Sequence, residues 1–322
     1  MIDLFFLAQW FADWITYAVL NLAKDSALAS AINFFVYDSI KVTILLLVIV
    51  FFVGIVRTFI TPQKVRKIVG KKKEGIGNIL AALLGVVTPF CSCSAVPLFI
   101  GFVESGIPLG ITFSFLIASP LINEVAAIML FAMFGWEIAA LYIVSGLIVA
   151  IIAGIIIGRL NLEKEVEDFV YKIHAKKIKE EKMDWKQRIN FGLKESKTIT
   201  LKVLPYLLIG IAIGGVIHGY APSDLLIQIA GANNPFAVPI AVLIGIPLYS
   251  NAAGMVPIVG VLIDKGLPIG TALAFMMAVI GLSLPEMIIL RKVLKPKLLA
   301  IFAVILFISF TLIGMLFNVL LN

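Results

Sequence analysis

Charge is scarce in this chain. Only 14% of its 322 residues are Asp, Glu, Lys or Arg, whereas 61% are hydrophobic. A soluble domain carries roughly a quarter charged residues, so this composition excludes an ordinary soluble enzyme or binding module. The apolar residues come in runs of about 20, the length with which a helix crosses the hydrocarbon layer of a bilayer. We therefore predict an all-α polytopic membrane protein.

Other absences narrow the function. The chain has only two cysteines, which excludes a disulfide framework. It contains no Gly-x-x-x-x-Gly-Lys-[Ser/Thr] sequence, so it is not itself an ATPase, and no cofactor is predicted. The N-terminus lacks the basic n-region of a signal peptide. We interpret residues 4–22 as a first membrane helix. An interfacial helix is the alternative, because Asp3, Gln9 and Asp13 lie within or beside this segment.

The positive charge is confined to three clusters. Although the net charge is +7, 23 of the 26 Lys and Arg residues lie in 57–75, 159–202 and 291–297. Such clusters are typical of cytoplasmic loops, which set the orientation of a membrane protein. No basic patch is interleaved with aromatic residues, so nucleic acid is not a predicted partner. The predicted partners are the lipid bilayer and a small-molecule or metalloid substrate, and a homo-oligomer stays open.

The two halves of the chain resemble each other at an offset of 160 residues. When Gly85 is placed over Gly245, "GVVTPFCSCSAVPLFIGFVESGIPLGITFSFLIA" aligns without a gap with "GIPLYSNAAGMVPIVGVLIDKGLPIGTALAFMMA", and glycines and prolines match in register. This pattern indicates an internal repeat. Loop 61–75 is basic, whereas the matching loop 221–235 has no Lys or Arg. We therefore expect two repeats of inverted topology.

Charge also predicts how two apolar segments enter the membrane. The cluster 291–297 falls on the cytoplasmic side if segments 77–104 and 236–263 enter and return as re-entrant hairpins, each of two half-helices. We therefore predict seven spanning helices and two hairpins, with the N-terminus in the cytoplasm. The alternative, nine spanning helices, violates the charge rule.

The predicted protein is multi-pass and has four parts. They are an N-terminal membrane helix and loop (1–36), a first membrane repeat (37–158), a cytoplasmic helical connector (159–197) and a second membrane repeat (198–322).

Each predicted hairpin has a break midway, "TPFCSCS" (88–94) and "LYSNAAG" (248–254). Backbone groups at a helix break lose their partners, and a ligand can satisfy them. The candidate substrate-binding residues at the two tips are Cys91, Ser92, Cys93 and Ser94, and Tyr249, Ser250 and Asn251. Thiolates favour soft ions such as Cu(I), Zn(II) or trivalent arsenic, so the two cysteines are predicted metal or metalloid ligands. The alternative is that they are small buried residues at a tight break.

Two acids are candidates for proton coupling. Glu124 lies in "SPLINEV" and Glu286 in "LSLPEM", both within apolar segments. A charged side chain at the bilayer centre costs about 2.5–3.5 kcal/mol on insertion scales, so it usually serves a function. The alternative for Glu286 is a cap or ion pair near the inner interface. Four prolines are predicted to mark structural breaks: Pro89, Pro97, Pro120 and Pro257.

The stretch "TPFCSCSAVPLFIGFVESGIPLGITFSFLIASPLINE" resembles the predicted permease family that includes the organoarsenical efflux permeases. The resemblance extends to "GLPIGTALAFMMAVIGLSLPEMIILRKVLKPK" in the second half. It implies a plasma-membrane permease, and in some members the export of trivalent methylated or aromatic arsenicals and arsenical resistance. Cysteines take part in arsenic recognition in those members. Cys91 and Cys93 carry this motif here.

We predict a secondary transporter that exports a soft, thiol-reactive solute, such as a trivalent organoarsenical or a soft metal. One alternative is a permease for sulfur compounds or the membrane subunit of a larger complex. Another is an intramembrane thiol oxidoreductase that uses Cys91 and Cys93. The chain has no second cysteine pair to relay electrons, so we predict that it is not an enzyme.

Overall fold

The computed structural model describes residues 6–23, 26–59, 75–87, 98–103, 106–168, 170, 184–220, 234, 236–248 and 252–321. Within these ranges the regular elements are all helical, and the sole extended pairing is an isolated bridge. The all-α prediction is confirmed for this part of the chain. Loops 61–75 and 221–235, from which the orientation of the repeats was predicted, fall almost entirely outside it.

Eleven helices are numbered here in chain order. They are α1 (Phe6–Asp13, continued by a π-helix at Trp14–Val19), α2 (Ala27–Phe59), α3 (Ile76–Val87), α4 (Leu109–Leu121), α5 (Glu124–Arg159), α6 (Trp185–Tyr220), α7 (Ala237–Gly245), α8 (Ala252–Asp264), α9 (Ile269–Gly281), α10 (Leu284–Leu290) and α11 (Pro296–Leu320). Helix α5 consists of two helical parts, because the backbone leaves the helical conformation at Gly135 (φ 85°, ψ 174°). Residues 98–103 are also helical.

Long and short apolar helices occur together. The segments with the length and composition to cross a bilayer are Ala27–Ile44, Ala126–Arg159, Ile269–Leu290 and Pro296–Leu320. The shorter apolar helices are Ile76–Val87, Leu109–Leu121 and Gly254–Asp264. A helix needs about 20 residues to span the hydrocarbon layer, so the shorter ones cross only part of it alone. This combination is that of a multi-pass membrane protein with half-length helices packed among full-length ones.

Helices α4 and α9 form the centre of the bundle. Every residue of α4 is buried, and so is every residue of α9 after Ile269. A helix that is apolar on all faces belongs in the interior. Helices α3 and α5 pack on α4 and on each other, and α7 and α11 do the same around α9. The outer faces of α5 and α11 carry exposed apolar residues every fourth position: Val144, Ile148, Ile152 and Ile156, and Val304, Ile308, Leu312 and Leu316.

Glycines bring the backbones of α4 and α5 together. A β-carbon added at Gly110 would lie 2.7 Å from the Cα of Gly158, and one added at Gly154 would collide with the Gly110 carbonyl oxygen and the Ser114 hydroxyl. Small residues allow such close approach between helices in a membrane. Asn78 of α3 donates from Nδ2 to the Gly110 carbonyl (3.1 Å) and to Ser114 Oγ (2.9 Å). Three helices are thereby joined at one point.

The same contacts recur 160 residues later. A β-carbon added at Gly270 of α9 would lie 2.5 Å from the backbone nitrogen of Asn318 and would collide with the Gly314 carbonyl. Asn318 donates from Nδ2 to Thr271 Oγ1 at 2.9 Å. Helices α4 and α9 begin and end at positions 160 residues apart. The packing at Gly110 and Gly270 is therefore the same, although the asparagine comes from a different helix in each half.

Helices α2 and α6 pack side by side in opposite directions. Ser196 Oγ donates to the Leu47 carbonyl at 2.7 Å, and Arg188 donates from Nη1 to Thr58 Oγ1 at 2.6 Å. As the residue number rises along α2 it falls along α6, so the pair is antiparallel. Helix α6 begins at Trp185, within the stretch 159–197 that the sequence assigned to a connector. Most polar side chains in its first turns are exposed, whereas Arg188 and Ser196 bond to α2.

The start of the connector joins the two halves. After the 3₁₀ turn Glu163–Glu165, Val166 forms an antiparallel bridge with Leu294, between α10 and α11. The Glu167 amide donates to the Val293 carbonyl at 2.8 Å. Arg291 and Glu167 form an ion pair at 2.9 Å. Val166 is buried, so this contact has an apolar centre as well as a polar rim.

We expect Gly154→Ala to lower the stability of the protein in detergent by roughly 1–3 kcal/mol, the usual cost of overpacking a well-packed interface. Gly158→Ala is the milder comparison, because its added β-carbon would lie 3.2 Å from the Gly110 Cα, whereas the one at Gly154 would collide with its neighbours. Thermal unfolding of both variants measures the difference. Equal melting temperatures would contradict the account of the α4–α5 contact.

Candidate functional site

The predicted hairpin tips lie outside the described residues. This applies to Cys91, Ser92, Cys93 and Ser94 with Pro89 and Pro97, and to Tyr249, Ser250 and Asn251. Their roles therefore stay predictions. The structure describes the helices around them. Helix α3 leads to the first tip and residues 98–103 leave it, while α7 and α8 flank the second tip.

The chain breaks its helix between α4 and α5. Helix α4 ends at Leu121, one residue after Pro120, and α5 begins at Glu124. The Leu121 carbonyl accepts a hydrogen bond from the Tyr142 hydroxyl at 3.1 Å. Asn123 caps α5, since its Oδ1 accepts from the Ala126 amide at 2.8 Å. Backbone irregularity at membrane depth is tolerable only where protein or water satisfies it, and here two side chains do so.

A second break lies at the matching place in the other half. Helix α9 ends at Gly281 and α10 begins at Leu284, with Ser283 in the cap position and buried. The Leu284 amide donates to the Ile246 carbonyl at 2.7 Å. Ile246 directly follows α7 and leads into the predicted second tip. The break before α10 and the approach to that tip are therefore in direct contact.

The two breaks meet at the centre of the bundle. A β-carbon added at Gly281 would lie 3.6 Å from Leu121 Cδ1. Leu121 and Gly281 are 160 residues apart, so each is the counterpart of the other in the two halves. The ends of α4 and α9 therefore lie against each other.

The two predicted acids lie in the first turns of the helices that follow these breaks. Glu286 lies in the first turn of α10 and is only 4% exposed. Glu124 is the first residue of α5, and the structure does not describe its side chain. Free backbone amides at a helix N-terminus favour a carboxylate. The burial of Glu286 places its carboxyl inside the protein, next to the break that contacts Ile246. Of the predicted break prolines, Pro120 lies in the last turn of α4 and Pro257 lies exposed within α8.

Sequence reasoning missed three polar residues that are buried or that form hydrogen bonds at a helix break. Asn123 stands directly before α5, and an asparagine before a helical run is a recognised cap signal. Asp38 is 6% exposed in α2, and a carboxylate within apolar segment 37–60 was the available signal. Tyr142 is fully buried, and nothing in its sequence context indicates its bond to Leu121.

No cluster of three or more His, Cys, Asp or Glu side chains that could hold a metal ion occurs among the described residues. The two cysteines are not among them.

Comparison with known proteins identifies relatives of this chain. It is 26% identical over 285 residues to a UPF0718 protein of Methanocaldococcus jannaschii, covering 68% of this chain and 75% of that one. It is 23% identical to the UPF0718 protein YraQ of Escherichia coli, covering 74% and 66%. A Streptococcus mutans protein named as a subunit of a two-component membrane permease complex is 28% identical, covering 56% and 60%.

No solved structure matches the chain. A family model described as a predicted permease matches residues 27–319, which include α2 to α10 and nearly all of α11. The chain therefore belongs to the predicted permease family.

Proposed function

We propose that the protein is a secondary transporter in the plasma membrane that exports a soft, thiol-reactive solute, such as a trivalent organoarsenical or a soft metal ion. Its two repeats have inverted topology, and segments 77–104 and 236–263 are re-entrant hairpins whose tips form the substrate site. Family membership supports the permease function. The substrate is proposed from the chemistry of the tips.

The antiparallel packing of α2 and α6 is the main support for the proposal of inverted repeats. The two helices occupy matching places in the two halves, since α2 shifted by 160 residues covers nearly the same range as α6. In a parallel repeat such counterparts would run the same way through the membrane. Here they run in opposite directions, as inverted-topology repeats require, and the contact of Leu121 with Gly281 agrees with an axis through the centre.

The proposed site uses sulfur on one side and oxygen or amide groups on the other. Cys91 and Cys93 bind the soft atom, and Ser92 and Ser94 add hydroxyls. Tyr249, Ser250 and Asn251 face them from the second tip. A monomethylated trivalent arsenical carries two hydroxyls, so it forms two As–S bonds and releases two water molecules. Exchange with water reverses both bonds on the other side of the membrane.

Glu124 and Glu286 couple this exchange to protons. Each lies in the first turn of a helix that follows one of the two central breaks, and Glu286 is buried there. Intramembrane carboxyls that face the inside of a bundle are common carriers of protons in transporters. Protonation of Glu286 removes a negative charge inside the bundle, two residues after Leu284, whose amide bonds to Ile246.

The dithiol is tested in proteoliposomes with methylated trivalent arsenic, Cu(I), Zn(II) and thiosulfate as separate solutes. We expect Cys91→Ser and Cys93→Ser each to abolish transport of the arsenical, because one thiolate alone cannot chelate it. Ser309→Ala is the control for an equally small change, since its hydroxyl donates to the Ile305 carbonyl one turn earlier in α11. Both cysteine variants transporting at the wild-type rate, with equal protein in the membrane, would rule out the sulfur site.

The role of Glu286 is tested by Glu286→Gln, which keeps the shape and removes the ionisable group. We expect wild-type vesicles to accumulate solute when a proton gradient is imposed. Vesicles with Glu286→Gln should only let the solute equilibrate. Glu137→Gln, on the exposed face of α5, is the matched control and should accumulate normally. Full accumulation by Glu286→Gln would remove this residue from the coupling step.

The membrane subunit of a two-component permease is a second candidate function. The name of the Streptococcus mutans relative favours it, because that protein is described as one subunit of a complex. A stoichiometric partner that co-purifies from native membranes, and without which the vesicles do not transport, would replace the single-chain transporter by this candidate.

A further inference from the structure

Helix α1 and its π-helical continuation present a stripe of apolar, mainly aromatic side chains. Phe6, Leu7, Trp10, Phe11 and Trp14 are between 40% and 76% exposed. The opposite face carries the small buried residues Ala8, Ala12 and Thr16. The helix ends at a turn in which Asn21 has a φ of 50°, before α2 begins at Ala27. The exposed stripe therefore faces away from the protein along the whole described length of the helix.

A polar cluster fastens α1 to α2 at one residue. Gln9 donates from Nε2 to Asp13 Oδ1 (2.9 Å) and to Asn33 Oδ1 (3.1 Å), and Asn33 donates from Nδ2 to Asp13 Oδ1 (2.7 Å). Gln9 and Asp13 lie one turn apart, about 6 Å along the helix axis. Both contacts converge on Asn33, which therefore marks where the polar part of α1 lies against α2.

The depth of Asn33 follows from the packing of α2 on α6. Extending the Leu47–Ser196 contact by about one and a half turns brings residues near 42 beside residues near 201, which are close to being counterparts in the two halves. In the inverted arrangement such a meeting point lies near the bilayer midplane. Asn33 is about 13 Å from it along α2. The hydrocarbon layer is about 30 Å thick, so Asn33 lies near its edge.

We propose that α1 lies in the plane of the outer membrane interface, with its aromatic stripe in the boundary between phospholipid headgroups and acyl chains. Tryptophan favours this boundary, whereas Trp10 and Trp14, in the middle of the helix, would enter the hydrocarbon if it crossed the bilayer. The distribution of basic residues indicates on which side of the membrane α1 lies. The basic loop 61–75 after α2 is cytoplasmic, so the start of α2 is outside. The depth argument rests on the inverted repeats proposed above.

The membrane topology of the N-terminal segment then differs from the one that the sequence predicts. An α1 in the outer interface leaves residues 4–22 without a membrane crossing and places the segment before α1 outside the cell. The sequence favoured a membrane helix here and a cytoplasmic N-terminus. The occupant of the stripe is lipid, because its tryptophans suit the headgroup boundary. Segments long and apolar enough to cross a bilayer, such as those in α5 and α11, expose apolar faces as well.

Tryptophan quenching by brominated lipids tests the orientation. The chain has four tryptophans, Trp10, Trp14, Trp136 and Trp185, so two single-tryptophan proteins that keep Trp10 or Trp14 require only Trp→Phe changes at exposed positions. A third protein carries Leu7→Trp as its one tryptophan and extends the same stripe. Each is placed in liposomes whose phospholipids carry bromine at a known acyl carbon. A protein without tryptophan is the blank.

An in-plane helix gives one shallow depth for all three probes. A crossing helix separates position 7 from Trp14 by about 10 Å in depth and Trp10 from Trp14 by about 6 Å. A spread of that size would overturn the proposal. Absence of lipid quenching at all three positions would also overturn it, because a second copy or a protein partner would then cover the stripe. Neither result involves solute transport, so a failure here is separate from failure of the substrate site.

Discussion

Interruption of helices inside a membrane is the constraint on which this structure depends. An unpaired backbone group in hydrocarbon costs several kcal/mol, so a break must be enclosed by protein or line a polar cavity. The protein places its two breaks at the ends of α4 and α9, the two helices buried on all sides. Tyr142 and Asn123 satisfy one break, and the Leu284–Ile246 bond satisfies part of the other. Helices α5 and α11, which pack on them, carry exposed apolar residues on their outer sides.

Glycines allow the neighbouring helices to pack closely against the two central ones. Gly110 with Gly154, and Gly270 with Gly314, allow α5 and α11 to approach the central helices at backbone distance. The polar groups that reinforce these contacts differ between the halves, since Asn78 comes from α3 and Asn318 from α11. The two halves also differ at the proposed site, where Cys91 on one tip corresponds to Asn251 on the other. A shared framework with different chemistry on its two sides suits a solute that needs sulfur on one side only.

The sequence predicted helical membrane structure and the 160-residue offset, because both depend on composition and on prolines and glycines that recur in register. The starts of segments 77–104 and 236–263 lie within one residue of the starts of α3 and α7. The sequence did not indicate that a helix beginning at Trp185 packs along α2, because the bonds of Ser196 and Arg188 join residues distant in sequence. Pro120 indicated a break near its true place, but the helix continues through it to Leu121 and the cap at Asn123 was missed. The bond from Tyr142 joins residues distant in sequence, so no local pattern could reveal it.

The central claim is that the two halves cross the membrane in opposite directions. Inserting one epitope tag after Arg66 and another after Gln228, in separate proteins expressed in intact cells, tests it most directly. Residue 228 is the 160-residue counterpart of position 68, so the two tags mark the same loop in each half. The account predicts that the tag after Arg66 is reached only after the cells are permeabilised, while the tag after Gln228 is reached from outside. Both tags on the same side would contradict it.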